Sequence, residues 1–285
     1  MTPRFDAYTA TAKTDHKAFS ALAWDIGGAG AKCREGPGYH GFHHKRAYVG
    51  EDGAEWCSIL WGGPRHGDLV MCEVKGERTP DFVQGLREQV PVHSCTRVDS
   101  AADLEEDGIW DRLLPIVMDI KTRHRLRGER RGDWDFPEDG RTQYLGSPTS
   151  AVRVRMYEKG KHPHHRHWGR YDWVRVECQV RPEKDAKTVY AAATASQVWG
   201  ASPYTRELAA TILEAQVQPL PPYAARRENG RDRALRFMCQ QYGAHLLSLR
   251  DDLGDWQSVG LTLSEIIREN EEAHRREVAL KRRMH

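Results

Sequence analysis

Two segments alternate between apolar and polar residues so regularly that each reads as a β-strand burying one face. In 151–157 (AVRVRMY), Val152, Val154 and Met156 alternate with Arg153, Arg155 and Tyr157. In 172–180 (DWVRVECQV), Val174, Val176, Cys178 and Val180 alternate with Trp173, Arg175, Glu177 and Gln179. Successive strand side chains point to opposite faces, so each apolar set belongs to a core and each polar set to the other side. A third segment, 91–99, repeats the pattern more weakly, with Val92, Ser94, Thr96 and Val98 against His93, Cys95, Arg97 and Asp99. If the three strands are neighbours, a single sheet face collects one tyrosine, two carboxylates and several arginines. A solvated face laced with cross-strand ion pairs would have the same composition, so the residues alone leave that reading open.

The rest of the chain fits around such a sheet. Short strands are expected over 38–49, 54–62, 68–75 and 141–146, broken by turns at Gly50–Gly53 and Gly62–Pro64. Helices are expected over 15–24, 80–89 and 108–126, the last limited or kinked by Pro115. From 184 the chain reads as helical: 184–198, 203–215, 231–249 and 262–283. The Pro-rich polar stretch 218–230 (QPLPPYAARRENG) reads as a linker. The expected organisation is a catalytic domain over 1–217, a linker over 218–230 and a helical region over 231–285. The fold class is α+β: a central antiparallel sheet with helices packed on one side, then a small helical part.

Composition excludes little. With 43 basic and 41 acidic residues the formal charge is only +2, but a nucleic-acid surface needs a local basic face, not a high total. Six scattered cysteines without CxxC spacing argue against a zinc or disulfide framework and for a reducing cytoplasm. No apolar signal segment opens the chain and no window approaches a membrane span, so a cytoplasmic protein without a membrane partner is expected.

The chemistry such a face offers is phosphodiester cleavage. A tyrosine hydroxyl can attack phosphorus and keep the bond energy in a phosphotyrosine. With an ordinary pKa near 10 it needs activation. Two carboxylates suit a hard divalent cation, Mg²⁺ or Mn²⁺, which would polarise the phosphate. Arginines would grip phosphate oxygens.

The same segments resemble the replication initiation factor family of rolling-circle plasmids, integrative elements and filamentous phages, the Rep_trans-type branch related to HUH endonucleases. Thr96-Arg97-Val98-Asp99 with Asp103 is similar to the family's T-R-x-D-x-x-x-D. Tyr144-Leu145-Gly146-Ser147 leading to Arg155-Met156-Tyr157-Glu158-Lys159 is similar to Y-x-G-S…R-x-Y-x-K. Trp173-Val174-Arg175-Val176-Glu177 is similar to W-x-R-x-E. The resemblance spans about residues 38–200.

The resemblance implies a five-stranded or similar sheet and a DNA-nicking endonuclease acting at a replication origin. It also implies a 5′-phosphotyrosine intermediate and a free 3′-hydroxyl. By position Tyr157 is the nucleophile, with Arg155 and Lys159 beside it on the phosphate. Asp99 and Glu177 are metal-site acids, and Glu73 is a looser third. Arg97, Arg153 and Arg175 are expected on DNA, as are Arg123, Arg125 and Arg127 of the basic run 121–131, and Arg166 and Trp168 of the His-rich loop. That loop, 161–167, follows the tyrosine, whereas the wider HUH group carries a His-x-His pair on a strand before it. It is therefore read as a DNA-contacting loop, with Trp168 or Tyr171 stacking on a base, in preference to a metal site. The expected partners are origin DNA, single-stranded or hairpin, and also a host helicase and a second copy of the chain. The alternatives are a non-catalytic DNA-binding regulator and a metal-dependent nuclease using water.

Overall fold

The central strand of the sheet lies where the sequence reading found no element. In the computed structural model, which describes residues 2–223 and 230–283, β1 (Arg4–Lys13) sits in the middle of a ten-stranded antiparallel sheet. Its core-facing residues are Phe5, Tyr8, Ala10 and Ala12. The others are β2 (Lys32–Pro37), β3 (His44–Val49), β4 (Glu55–Trp61), β5 (Leu69–Lys75), β6 (Ser94–Glu105), β7 (Arg130–Gly132), β8 (Arg141–Leu145), β9 (Val152–Glu158) and β10 (Trp173–Val180). Their order is β2-β3-β4-β5-β1-β6-β10-β9-β8-β7. The three alternating segments are therefore adjacent, as β6-β10-β9. The sheet is twice the size that the family resemblance implies, because β1 and the β2–β5 meander extend it.

Helices cover one face. They are α1 (His16–Gly27), α2 (Thr79–Gln89), α3 (Ile109–Arg123), α4 (Ala186–Ala192), α5 (Ala195–Val198) and α6 (Pro203–Ile212). Phe19, Leu22, Phe82, Leu86, Val117, Ile120 and Leu208 from these helices bury against Tyr8, Val98, Val154, Met156 and Val176 of the sheet. α3 continues through Pro115. The helix expected over 184–198 is two pieces, because Thr194 starts α5 with a capping box. On the other face a small second cluster, Phe42, Leu60 and Met71, lies over the β4–β5 half. The remainder of that face, over β1, β6, β10, β9 and β8, opens into a cleft.

The chain divides into two compact units, Met1–Ala225 and Arg226–His285. The second holds α7 (Gly230–Leu253) and α8 (Trp256–Arg283), two helices joined by a turn at Gly254, whose φ is +90°. The predicted linker lies partly outside the described residues, at 224–229. Among the described residues no helix is long and apolar enough to cross a membrane.

Candidate active site on the open sheet face

Two bulges decide which side chains reach the open face. Phe5 pairs with Ser100 and Ala7 with Asp99, so Asp6 is an extra residue in β1. Phe5 and Tyr8 both face the core, and both residues between them, Asp6 and Ala7, turn to the open side. Thr9 pairs with Arg97 and Ala10 with Cys95, which makes Thr96 the extra residue in β6. Cys95 is consequently core, although simple alternation places it with Arg97.

Beyond the bulges the register stacks the polar residues in rows across the sheet. One row runs Thr142, Tyr157, Arg175, Asp103. The next runs Tyr144, Arg155, Glu177, Ala101, and the third Arg153, Gln179, Asp99, Ala7. Tyr157 is on the open face, and Asp99 and Glu177 share that face. A cleft of about 1050 Å³ lies over it, with Tyr157, Arg155, Lys159, Asp6 and Arg97 among its lining.

Glu177 is the pivot of this arrangement. It is 1% exposed and accepts from Arg155 Nη2 at 2.7 Å. Burial pushes its carboxyl well above the ordinary range, and the neighbouring Asp99 pushes in the same direction. Diagonal neighbours on facing strands lie about 7–8 Å apart at Cα, so Glu177 is close both to Asp99 and to Tyr157. Asp99 itself stands two strands and two rows from Tyr157, roughly 16 Å at Cα by ordinary strand spacing. It is 1% exposed and held by Arg97, Nε to Oδ1 at 2.9 Å, and by Gln179 Nε2 at 3.3 Å. Of the two expected metal-site acids, Glu177 is the diagonal neighbour of Tyr157 and Asp99 lies beyond Glu177 on the same face.

Glu73 does not join them. It lies on β5, level with Arg97 and two strands away from β6. Its carboxylate accepts from the Tyr39 hydroxyl beside the small second cluster. Among the described residues no three His, Cys, Asp or Glu side chains come together as a metal cage. Asp99 and Glu177 would have to exchange their Arg97 and Arg155 partners to lend a carboxylate each to a hard cation, whose shell phosphate and water would complete. The donor set does not fit an ion held by protein alone.

Cations line the cleft beside the tyrosine. The Arg155 guanidinium lies 5.1 Å from its ring centroid. Lys159 follows on the same side of the chain, buried, with Nζ 4.4 Å from the Trp173 ring. Burial pushes that ammonium down to about 8, with Arg175 adding to the effect. Burial raises the Tyr157 phenol above its ordinary value, and Glu177 raises it further, so the resting side chain is a neutral phenol.

Other expected contacts fall in different places. Arg175 has only 3% of its side chain exposed, and each of its nitrogens has a carboxylate partner: Asp103 accepts from Nε at 2.7 Å and from Nη2 at 2.6 Å, and Asp6 accepts from Nη1. It lines the cleft and holds these two acids in place. Asp103, four residues beyond the segment read as a strand, lies inside β6, which runs on to Glu105. Arg153 stacks over Tyr144 at 3.9 Å and pairs with Glu129, which keeps it on the open face. Arg123 belongs to the helical side, paired with Asp119 at 2.8 Å and with Glu207 of α6, so it is removed from the cleft. Arg125 and Arg127 are exposed on the loop after α3 and do not line the cleft. Arg166 is half exposed and bonds Asp139 at 3.2 Å. His162, His164, His165, His167 and Trp168 form one wall of the cleft.

Sequence reasoning missed Asp6 and Arg4. The signal for β1 was present in Tyr8, Ala10 and Ala12 alternating with threonines, but nothing in it announced the bulge that turns Asp6 outward.

The chain is similar to the solved structure of the rolling circle replication initiator protein from Geobacillus stearothermophilus. The two are 19% identical over 70% of this chain and 83% of that one, with a TM-score of 0.49. So distant a likeness carries no chemistry, which rests here on the side chains alone. No protein-family model matches the chain, and no curated protein matches it.

Proposed function

We propose that this protein is a DNA strand-nicking enzyme of the rolling-circle initiator type, with Tyr157 as nucleophile. The reading is carried by one observation. A tyrosine stands on a sheet face inside a cleft, with the Arg155 guanidinium beside its ring, Lys159 lining the same cleft and a buried acid on the neighbouring strand. A solvated sheet face has no reason to bury Glu177 or Lys159, since charged groups withdrawn from water cost stability unless the arrangement serves something else.

In the proposed reaction Tyr157 Oη forms a bond to phosphorus as the bond to the 3′-oxygen of the preceding nucleotide breaks. The phenol proton passes to water as the bond forms, and the departing 3′-oxygen takes a proton from water and ends as a hydroxyl. The product is a 5′-phosphotyrosine. Arg155 and Lys159 hold the non-bridging oxygens and favour the developing charge. Arg175 holds Asp103 and Asp6 in place beneath them. A Mg²⁺ or Mn²⁺ held by Glu177 and Asp99 would supply Lewis-acid polarisation of the phosphate. Arg97 and Arg153, facing the same cleft or its rim, would follow the DNA backbone, and Arg166 would meet it at the His-rich wall.

A non-catalytic DNA-binding regulator is the second reading. It is favoured by one feature: both acids already carry arginine partners. The test is incubation with single-stranded oligonucleotides from the origin in Mn²⁺. A covalent adduct that disappears in Tyr157→Phe supports the transferase. Cleavage that persists in Tyr157→Phe without an adduct means that water is the nucleophile. Salt-sensitive binding with neither cleavage nor adduct supports the regulator.

A further inference from the structure

The wall of the cleft presents an indole to solvent. Trp168 is 47% exposed. Its ring lies nearly parallel to that of Trp173, at 12°, with centroids 5.8 Å apart. Trp173 is itself buried, with the Lys159 and Arg170 cations each 4.4 Å from its centroid. Trp168 lines the cleft and Trp173 does not. The stack thus has a closed, cationic end and an open end facing the cleft.

The segment that carries Trp168 is tied down. Lys161 donates to Glu158 at 2.8 Å, and Arg166 donates to Asp139 at 3.2 Å. At Gly160 the chain passes so close to Arg170 that a Cβ would lie 1.7 Å from the Arg170 carbonyl oxygen. His165 packs against both indoles, at 4.8 and 5.2 Å. The indole is held in advance, so a ligand that stacks on it need not order a loop first.

A cleft with cations on its floor and a flat aromatic on its wall matches one ligand chemistry: a polyanionic backbone with exposed π-faces, which is single-stranded nucleic acid. Duplex DNA offers the same phosphates but keeps its base faces stacked inside. We infer that Trp168 is a stacking platform for one unpaired base of single-stranded DNA, turned out beside the phosphate that Tyr157 approaches. The inference rests on the proposed function and adds the side chain that holds a base beside the cleaved phosphate.

The test separates base from backbone and needs no chemistry. In a Tyr157→Phe background, affinity is measured for an oligothymidylate of about twelve nucleotides and for an all-abasic oligomer of the same length. Trp168→Ala should weaken oligothymidylate binding about tenfold and leave abasic binding within about twofold. Trp168→Leu, which still covers Trp173, should lose as much as Trp168→Ala. Trp168→Phe should keep most of the affinity. Equal losses on both oligomers, an unchanged affinity for oligothymidylate, or full binding by Trp168→Leu would overturn the platform. A wild-type protein that forms no adduct while this pattern holds removes the nuclease reading and leaves the platform standing. An adduct formed without the pattern does the reverse. Binding of neither oligomer removes the platform and leaves the nuclease reading to the adduct alone.

Discussion

At the scale of single residues the site is a set of buried charges, each fixed by a named partner. Arg175 is the clearest case, because it holds Asp103 in a two-point pair and Asp6 through its remaining nitrogen. Replacing it by methionine takes from Asp6 its arginine partner and leaves Asp103 only Trp173 and Arg4, and about 2–3 kcal/mol of stability should be lost, read as a fall in denaturation midpoint. Burial raises the Asp103 carboxyl, but the hydrogen bonds and charge of Arg175, the Lys159 charge and the Trp173 hydrogen bond together outweigh this, and the net shift is downward. A carboxyl held low in the folded state gives stability that is complete above its unfolded pKa, about 3.9, and is lost as pH falls through the lower folded value. Unfolding midpoints should therefore drop below pH of about 4 in the wild type. That acid limb should be shallower in Arg175→Met, and an unchanged limb would remove Arg175 as the cause. Lys159 sets a limit at the other end. With its ammonium pushed down to about 8, it loses its charge as pH rises through that value. Affinity for single-stranded DNA should fall between pH 7 and 9 by roughly threefold or more, as expected for one lost phosphate contact. Lys159→Arg, which stays charged, should abolish the fall.

At the scale of elements, what was legible in the sequence is what obeys a strict period. β9 and β10 alternate without interruption, so Tyr157 and Glu177 could be placed on one polar face before any coordinates. β6 could not be read so simply, because Thr96 breaks the alternation by one residue and puts Cys95 in the core. β1 was passed over since its polar residues are threonines and its small core residues are alanines, a pattern weak in hydrophobic contrast. The charges themselves carried no label of depth: Arg175 and Arg155 look alike along the strand, yet one has 3% of its side chain exposed and the other 39%. Burial depends on which neighbours cross the strand, and that is a tertiary fact. Gly160 makes the clearest prediction at this scale. Gly160→Ala drives a methyl into the Arg170 carbonyl and must displace the His-rich wall. A loss of about 2 kcal/mol or more is expected, with Trp168 losing its contact with Trp173. Unchanged melting and unchanged near-ultraviolet dichroism of the indoles would contradict that account of the wall.

At the scale of the whole molecule, the helical layer, the sheet and the open face belong to one unit, Met1–Ala225, with its own hydrophobic core. The α+β class and the helices on one side were readable from element order, since strands alternate with helical stretches early and helices follow late. The extent of the sheet was not, because β2 is wholly exposed and β7 is only three residues long, and neither has an apolar stripe to betray it. A chain ending at residue 223 should unfold in a single cooperative transition and keep its affinity for single-stranded DNA within about threefold, since the proposed contacts all lie within it. Failure of that piece to fold would mean that the helices after it complete the core. The proposal as a whole stands on a covalent bond at one phenol. Trapping the protein on an origin oligonucleotide, digesting both components and weighing the peptides tests it directly. Tryptic cleavage after Arg155 and Lys159 releases Tyr157 in a four-residue peptide, Met156–Lys159. That peptide should carry the added mass of a 5′-nucleotide phosphodiester. Nucleotide mass on Tyr144, on any other residue, or on no peptide at all while strands are cut would contradict the assignment of Tyr157.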